Sequence, residues 1–295
     1  MTKISNSATI ILLVFVSSVI PAFAENKPLD TVIATKVGKL MFVEVRVNGA
    51  GPFSFALDSG AHHSVIDPYV VGQAKLKIVG SGTVTGTGQG AVESQHAGPA
   101  VISLGKLRVK VEEPLVIDLS GVPIPKSTHG LIGAEFFEKY VVEIDPERPS
   151  LRFFDPATFV APADAAVIPL IVENHRFFLT ATLEPNDQEK AERKLRIDTG
   201  SEDSVADELV KKGLKVRATV LGQGLGQNYQ GSSGVLKAVQ LGPFRFEQVW
   251  GPGAPHSAIG MEIFRRFTAT FDTSRGKLYL KPNQHINEPV PEPPQ

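Results

Sequence analysis

No cysteine occurs anywhere in this 295-residue chain. That absence excludes disulfides, thiolate metal sites and a lipid-modified cysteine anchor. An excess of one charge is also missing, because 30 Lys and Arg stand against 31 Asp and Glu. With no basic cluster, there is no electrostatic reason to expect a nucleic-acid partner. Long apolar runs are scarce as well. The one at residues 8–20 is short of the roughly 20 residues that span a bilayer, and no later stretch reaches that length.

The apolar run at 8–20 follows Lys3 and precedes Pro21 and Ala22-Phe23-Ala24. This small-x-small ending predicts a secretory signal peptide over 1–24, cleaved after Ala24, with an uncleaved N-terminal anchor as the alternative. The mature protein is then expected to be periplasmic or secreted, with no membrane span. Export without disulfides suits a bacterial periplasm. Residues 25–295 remain, enough for two domains that each bury a core.

What the chain does have is a repeat. Asp58-Ser59-Gly60 returns as Asp198-Thr199-Gly200, and each closes a run of strand-forming residues. Leu131-Ile132-Gly133 returns as Ala258-Ile259-Gly260, and Val141 to Asp145 is echoed by Thr268 to Asp272. Gly133 and Gly260 stand 127 positions apart, as do Asp145 and Asp272, whereas the two motif aspartates stand 140 apart. Offsets that hold and then step describe two copies with different loop lengths. One such aspartate alone is good turn chemistry and nothing more. Two of them, one per copy, suggest a pair of carboxyls held face to face. Like charges that close cannot both ionise, so one proton is shared and a water between them can be activated.

Strand signals dominate the rest. Residues 40–47 and 53–57 flank the turn dipeptide Asn48-Gly49, and 101–111 and 141–145 are further strands. Helical signals are confined to 134–139, 206–212 and 262–266. Glycine-rich hairpins are expected around Thr83 to Gly88 and around Gly222. The Ala- and Pro-rich stretch 156–166 reads as a linker between domains at 31–155 and 167–282, and 283–295 as a disordered tail. The fold class is all-β, two similar lobes with a cleft between them.

The doubled set of motif, apolar-apolar-Gly strand and glycine hairpin resembles the pepsin/retropepsin superfamily of aspartic peptidases, in its small bacterial two-lobed form. The resemblance covers about residues 40–282. It implies two homologous lobes with an interlobe active-site cleft, Asp58 and Asp198 as the catalytic pair, and no cofactor or metal. Ser59 and Thr199 would hydrogen-bond across the interface. Gly60 and Gly200 would let backbone amides approach the carboxylates. The hairpins with Gly86, Thr87 and Gly88, and with Gly222, Gly224 and Tyr229, would act as flaps. A peptide or protein substrate and a monomeric enzyme follow. Two departures stand out: the chain is shorter than large pepsins, and the first hairpin lacks a tyrosine while the second carries Tyr229.

Other residues read more plainly. His62 and His63 are adjacent, a poor spacing for one metal, and read as exposed loop histidines. Glu93 and His96 read as hairpin-stem residues, and Trp250 as a packing residue. Gly222 to Gly226 lacks the Lys-Ser/Thr of a phosphate loop. Two function classes therefore remain: a secreted aspartic endopeptidase, and an inactive periplasmic peptide-binding or regulatory module on the same fold.

Overall fold

Alternating burial shapes the strands. Along Arg176–Glu184 every second residue, from Phe177 to Leu183, is buried while its neighbours face outward. Leu40–Val47 behaves similarly from Val43 onward and turns through Asn48 and Gly49, both at positive φ (49° and 85°), to pair Val47 with Ala50. Asparagine and glycine accept that left-handed backbone, and a two-residue turn of this hand matches strand twist. The computed structural model describes residues 26–222 and 224–292. The signal segment expected at 1–24, Gln223 and residues 293–295 lie outside the described residues.

The chain is all-β, with a curled half-barrel sheet. Strands within 35–132 build a ten-stranded sheet and strands within 171–260 an eight-stranded one. In each, the strand before the aspartate pairs in parallel with the Ile-Gly strand. Ala50–Leu57 lies beside Thr128–Ile132, with Ala56 opposite Leu131. Ala191–Asp198 lies beside Ala258–Gly260, with Arg196 opposite Ala258. A short helix follows each Ile-Gly, Ala134–Lys139 in one copy and Met261–Phe264 in the other.

A third, six-stranded sheet takes strands from both copies. Asp30–Ile33, Ser150–Phe154 and Val141–Asp145 continue into Phe267–Asp272, Lys277–Pro282 and Ala166–Pro169. The copies are therefore not packed separately. The Phe137 ring packs 5.5 Å from that of Phe177 and edge-on 5.2 Å from that of Phe271, and one buried apolar cluster contains residues from both copies.

Several expectations need correction. The stretch 101–111 is two strands, Ala100–Leu104 and Leu107–Val111, because Gly105 at φ 58° turns the chain between them. The 206–212 helix is a strand, Val205–Ala206, followed by a 3-10 turn Glu208–Lys212 that Asp207 caps by accepting from the Leu209 amide. An unforeseen helix, Pro68–Gln73, starts at Asp67, whose side chain accepts from Val70 N, with proline in the first turn.

The tail is not disordered over 283–292. Arg266, fully buried, donates to the carbonyls of His285, Glu288 and Pro289, and Val290 joins the core. A buried guanidinium needs acceptors on every side, and the tail backbone supplies them. Between 155 and 165 there is no strand or helix, although Phe159 is buried against Phe154 and Tyr279. Among the described residues, no helix is long and apolar enough to cross a membrane.

Candidate active site

Each aspartate is delivered by the end of a strand. Asp58 N donates to Ile132 O at 3.0 Å, so the Ile-Gly strand carries the ladder into the first loop. Asp198 is paired with Gly260 in the second copy. Just past each aspartate the chain turns sharply, and the two turns interlock. Ser59 N donates to Thr199 Oγ1 at 2.9 Å, and Thr199 N donates to Ser59 Oγ at 3.1 Å. Each hydroxyl then donates onward to the opposite strand: Ser59 to Ile197 O at 3.0 Å, and Thr199 to Leu57 O at 3.1 Å. Ser59 and Thr199 are buried, so every one of these groups would lose a water partner if its bond were missing.

The interlock brings the carboxyls to one place. A Cβ on Gly60 would lie 2.7 Å from the Asp198 carboxyl carbon, and one on Gly200 would lie 2.6 Å from that of Asp58. Only glycine permits this approach. Within its own loop, Asp58 Oδ1 accepts from Gly60 N at 2.8 Å and Ala61 N at 3.1 Å, and Asp198 Oδ1 accepts from Gly200 N at 3.2 Å.

Burial pushes the Asp58 carboxyl up to about 7, and the negative charge of Asp198 adds to the rise. The Arg196 guanidinium and the amides of Gly60 and Ala61 oppose it without cancelling it. At acidic pH Asp58 therefore carries a proton while lying against a second carboxyl. Such a pair can polarise a carbonyl with its proton and deprotonate a water with its free oxygens.

The hairpins meet each other. Gly88 N donates to Leu225 O at 2.9 Å, and Gln89 and Gln227 exchange backbone bonds at 2.7 and 2.9 Å. Close approach explains the glycines: a Cβ on Gly86 would sit 2.5 Å from Leu225 Cβ, and one on Gly88 2.6 Å from Gly226 C. A Cβ on Gly224 would collide with Thr87 Oγ1. Gly222, at φ 85°, lies beside the ring of Tyr229, whose buried hydroxyl has no hydrogen-bond partner among the described residues.

The residues flanking the motifs behave as follows. The His62 and His63 rings lie tilted at 4.7 Å, and His63 in turn packs 5.8 Å from His175 and 3.5 Å from a Glu135 oxygen. Burial, together with the neighbouring His63 and Arg176 charges, holds His62 below the usual imidazole range. Among the described residues, no group of His, Asp and Glu is arranged to hold a metal ion. Trp250 is buried in the strand Phe244–Pro252 with the Arg217 guanidinium 5.0 Å over its ring. Glu93 is exposed on the strand Val92–Ala97 and His96 is half-buried there.

One residue escaped the sequence reading. Arg196 Nη2 lies 2.8 Å from Asp198 Oδ2. Its signal was present: it stands two residues before Asp198, where the first copy has the apolar Ala56.

A search of curated proteins finds no match. Residues 43–136, which hold Asp58, the first hairpin and the first Ile-Gly, match the family model described as Aspartyl protease. Over those residues the chain is similar to the aspartyl proteases of the pepsin/retropepsin-like clan.

Proposed function

We propose that the protein is a single-chain aspartic endopeptidase in which Asp58 and Asp198 activate one water against a peptide carbonyl. The family domain points to peptidase activity. The observation that supports the finer reading is the reciprocal Ser59–Thr199 bonding, which sets each glycine against the opposite carboxyl. In the first step, an Asp198 oxygen takes a proton from the water as its oxygen attacks the carbonyl carbon. Asp58 gives its proton to the carbonyl oxygen, so a neutral tetrahedral diol forms. In the second step, Asp198 returns its proton to the amide nitrogen and Asp58 recovers one from a hydroxyl. The C–N bond breaks and both carboxyls are restored.

Both aspartates come from one chain, so catalysis needs no second copy and the active species is a monomer. Export to the periplasm belongs to the same proposal and rests on the Ala22-Phe23-Ala24 pattern. The test is cleavage of an unfolded protein at acid pH, with and without pepstatin. Activity lost in Asp58→Asn and blocked by pepstatin supports the reading. Full activity in that variant overturns it, and binding of peptide without any cleavage favours the inactive peptide-binding alternative. N-terminal sequencing of periplasmic protein should begin at Glu25.

A further inference from the structure

The two flanks of the carboxyl pair differ in chemistry. Strand alternation puts residue i−2 on the same face as the aspartate, so Ala56 accompanies Asp58 and Arg196 accompanies Asp198. Beside Ala56 lies Leu131, which pairs with Val65. Leu131 packs on a cluster of Val65, Leu115, Ile117 and Leu119, and Leu225 from the second hairpin closes on the same cluster. That flank is apolar. Beside Arg196 lies Ala258, which pairs with Ala206, and with Ala254 these form a cluster of alanines. The second flank has a guanidinium beside small side chains.

The donors of Arg196 are under-used. Arg245 and Arg266 engage all three guanidinium nitrogens, with Glu184 and Glu247 in one case, and with Glu262 and the tail carbonyls in the other. Arg196 makes one side-chain bond, to Asp198. Its Nε is buried without a partner, and its Nη1 bonds to no described residue. A guanidinium has five N–H donors in a planar fork, and that geometry matches a carboxylate. His256, half-buried, feels the charges of both Arg196 and Asp198.

We propose that Arg196 makes the second flank a carboxylate-accepting subsite, so that preferred peptides carry an apolar side chain on one side of the scissile bond and Asp or Glu on the other. The inference rests on the reading that Asp58 and Asp198 bracket the bond to be cut. An acidic side chain would supply the acceptor that Nη1 lacks, while Asp198 keeps its bond to Nη2. The two flanks then read opposite ends of the substrate, and the chain directions of peptide and protein are matched in one way only.

The test uses two peptides that differ only in Glu or Gln on the side of the bond facing Arg196, with Leu or Phe on the other. It is run at about pH 5.5, above the usual Glu range of about 4.3. The expected result is a kcat/KM about tenfold or more higher for the Glu peptide. The ratio should fall to about one in Arg196→Gln and recover in part in Arg196→Lys. Because each ratio compares two peptides on one protein, a change in the carboxyl pair itself cancels. A ratio of one in the native protein, or one unchanged in Arg196→Gln, overturns the inference. The same peptides are titrated onto Asp58→Asn by fluorescence anisotropy, which keeps the two readings apart. A Glu preference in binding with no cleavage by the native protein sinks the peptidase and leaves the subsite. Equal binding of both peptides, or of neither, sinks the subsite.

Discussion

The two copies share their hydrogen bonds and differ in their charges. Ser59 and Thr199 mirror each other bond for bond, and so do Gly60 and Gly200. The next positions do not: His62 and His63 follow the first motif where Glu202 and Asp203 follow the second. Burial and the Asp198 charge lift Asp203 above the usual carboxylate range, whereas His62 is depressed. Glu135 accepts from Ser64 N and Oγ in one copy, while Glu262 in the other binds Lys39, Arg265 and Arg266. What must be symmetric is the geometry that joins the carboxyls. Everything that sets where a proton sits, or which peptide fits, is free to diverge.

The first way to break that symmetry is at the carboxyls themselves. Asp58→Asn and Asp198→Asn should each cost about 10³-fold or more in turnover, and the double variant little more, since they act as one unit. Steady-state kinetics on a single peptide checks this. If Asp198→Asn kept near-native activity, the second motif would be only a turn.

Thr199→Val removes two bonds and strands the buried Ser59 amide, at a cost of about 1–3 kcal/mol. Ser59→Ala strands the Thr199 amide and should cost a similar amount if the interlock is truly reciprocal. Urea denaturation of both variants gives the comparison directly, and Thr199→Ser should restore most of the loss. A large cost at one position and none at the other would show that one copy anchors the loops alone.

Truncation after Pro282 probes a feature that only the second copy has. Arg266 would lose the carbonyls of His285, Glu288 and Pro289, and Val290 would leave the core. Stability should fall by about 1–3 kcal/mol. The Ser59–Thr199 interlock does not involve the tail, so peptide turnover at low temperature should change far less than the unfolding midpoint.

How far these features were legible follows from where their causes lie along the chain. Asp58-Ser59-Gly60 and its echo are local patterns, so the two interlocking turns were readable, as was the Asn48-Gly49 turn. The joining of the hairpins was not, because Gly88 and Leu225 meet through backbone bonds that no side chain announces. The docking of the tail was hidden for a similar reason: Pro289 to Glu292 looks unstructured until Arg266 is seen to need acceptors. The shared core was not legible at Phe137, whose apolar face says nothing of whether Phe177 or a residue of its own copy will cover it. Arg196 stands two residues before Asp198 in the sequence, but its meaning depended on its register with Ala258.

The smallest expected effect concerns pH. A carboxyl held at about 7 gives activity that falls as pH rises through neutrality, because the proton that polarises the carbonyl is lost. The Arg196 charge works against that rise. Removing it in Arg196→Met should therefore move the alkaline limb to higher pH, by roughly one unit or less. A peptide with Gln facing Arg196 keeps substrate selection out of the measurement. The same shift has a stability counterpart with a definite sign. A carboxyl raised in the folded state contributes stability that is present below its unfolded value of 3.8 and lost as pH rises through about 7. Asp58→Asn lacks this dependence, so its stability relative to the native protein should increase between pH 4 and pH 8. Thermal unfolding across that range reads it. If the native protein instead gained on the variant with rising pH, Asp58 would be an ordinary ionised aspartate, and the limb of the activity profile would have to belong to another group.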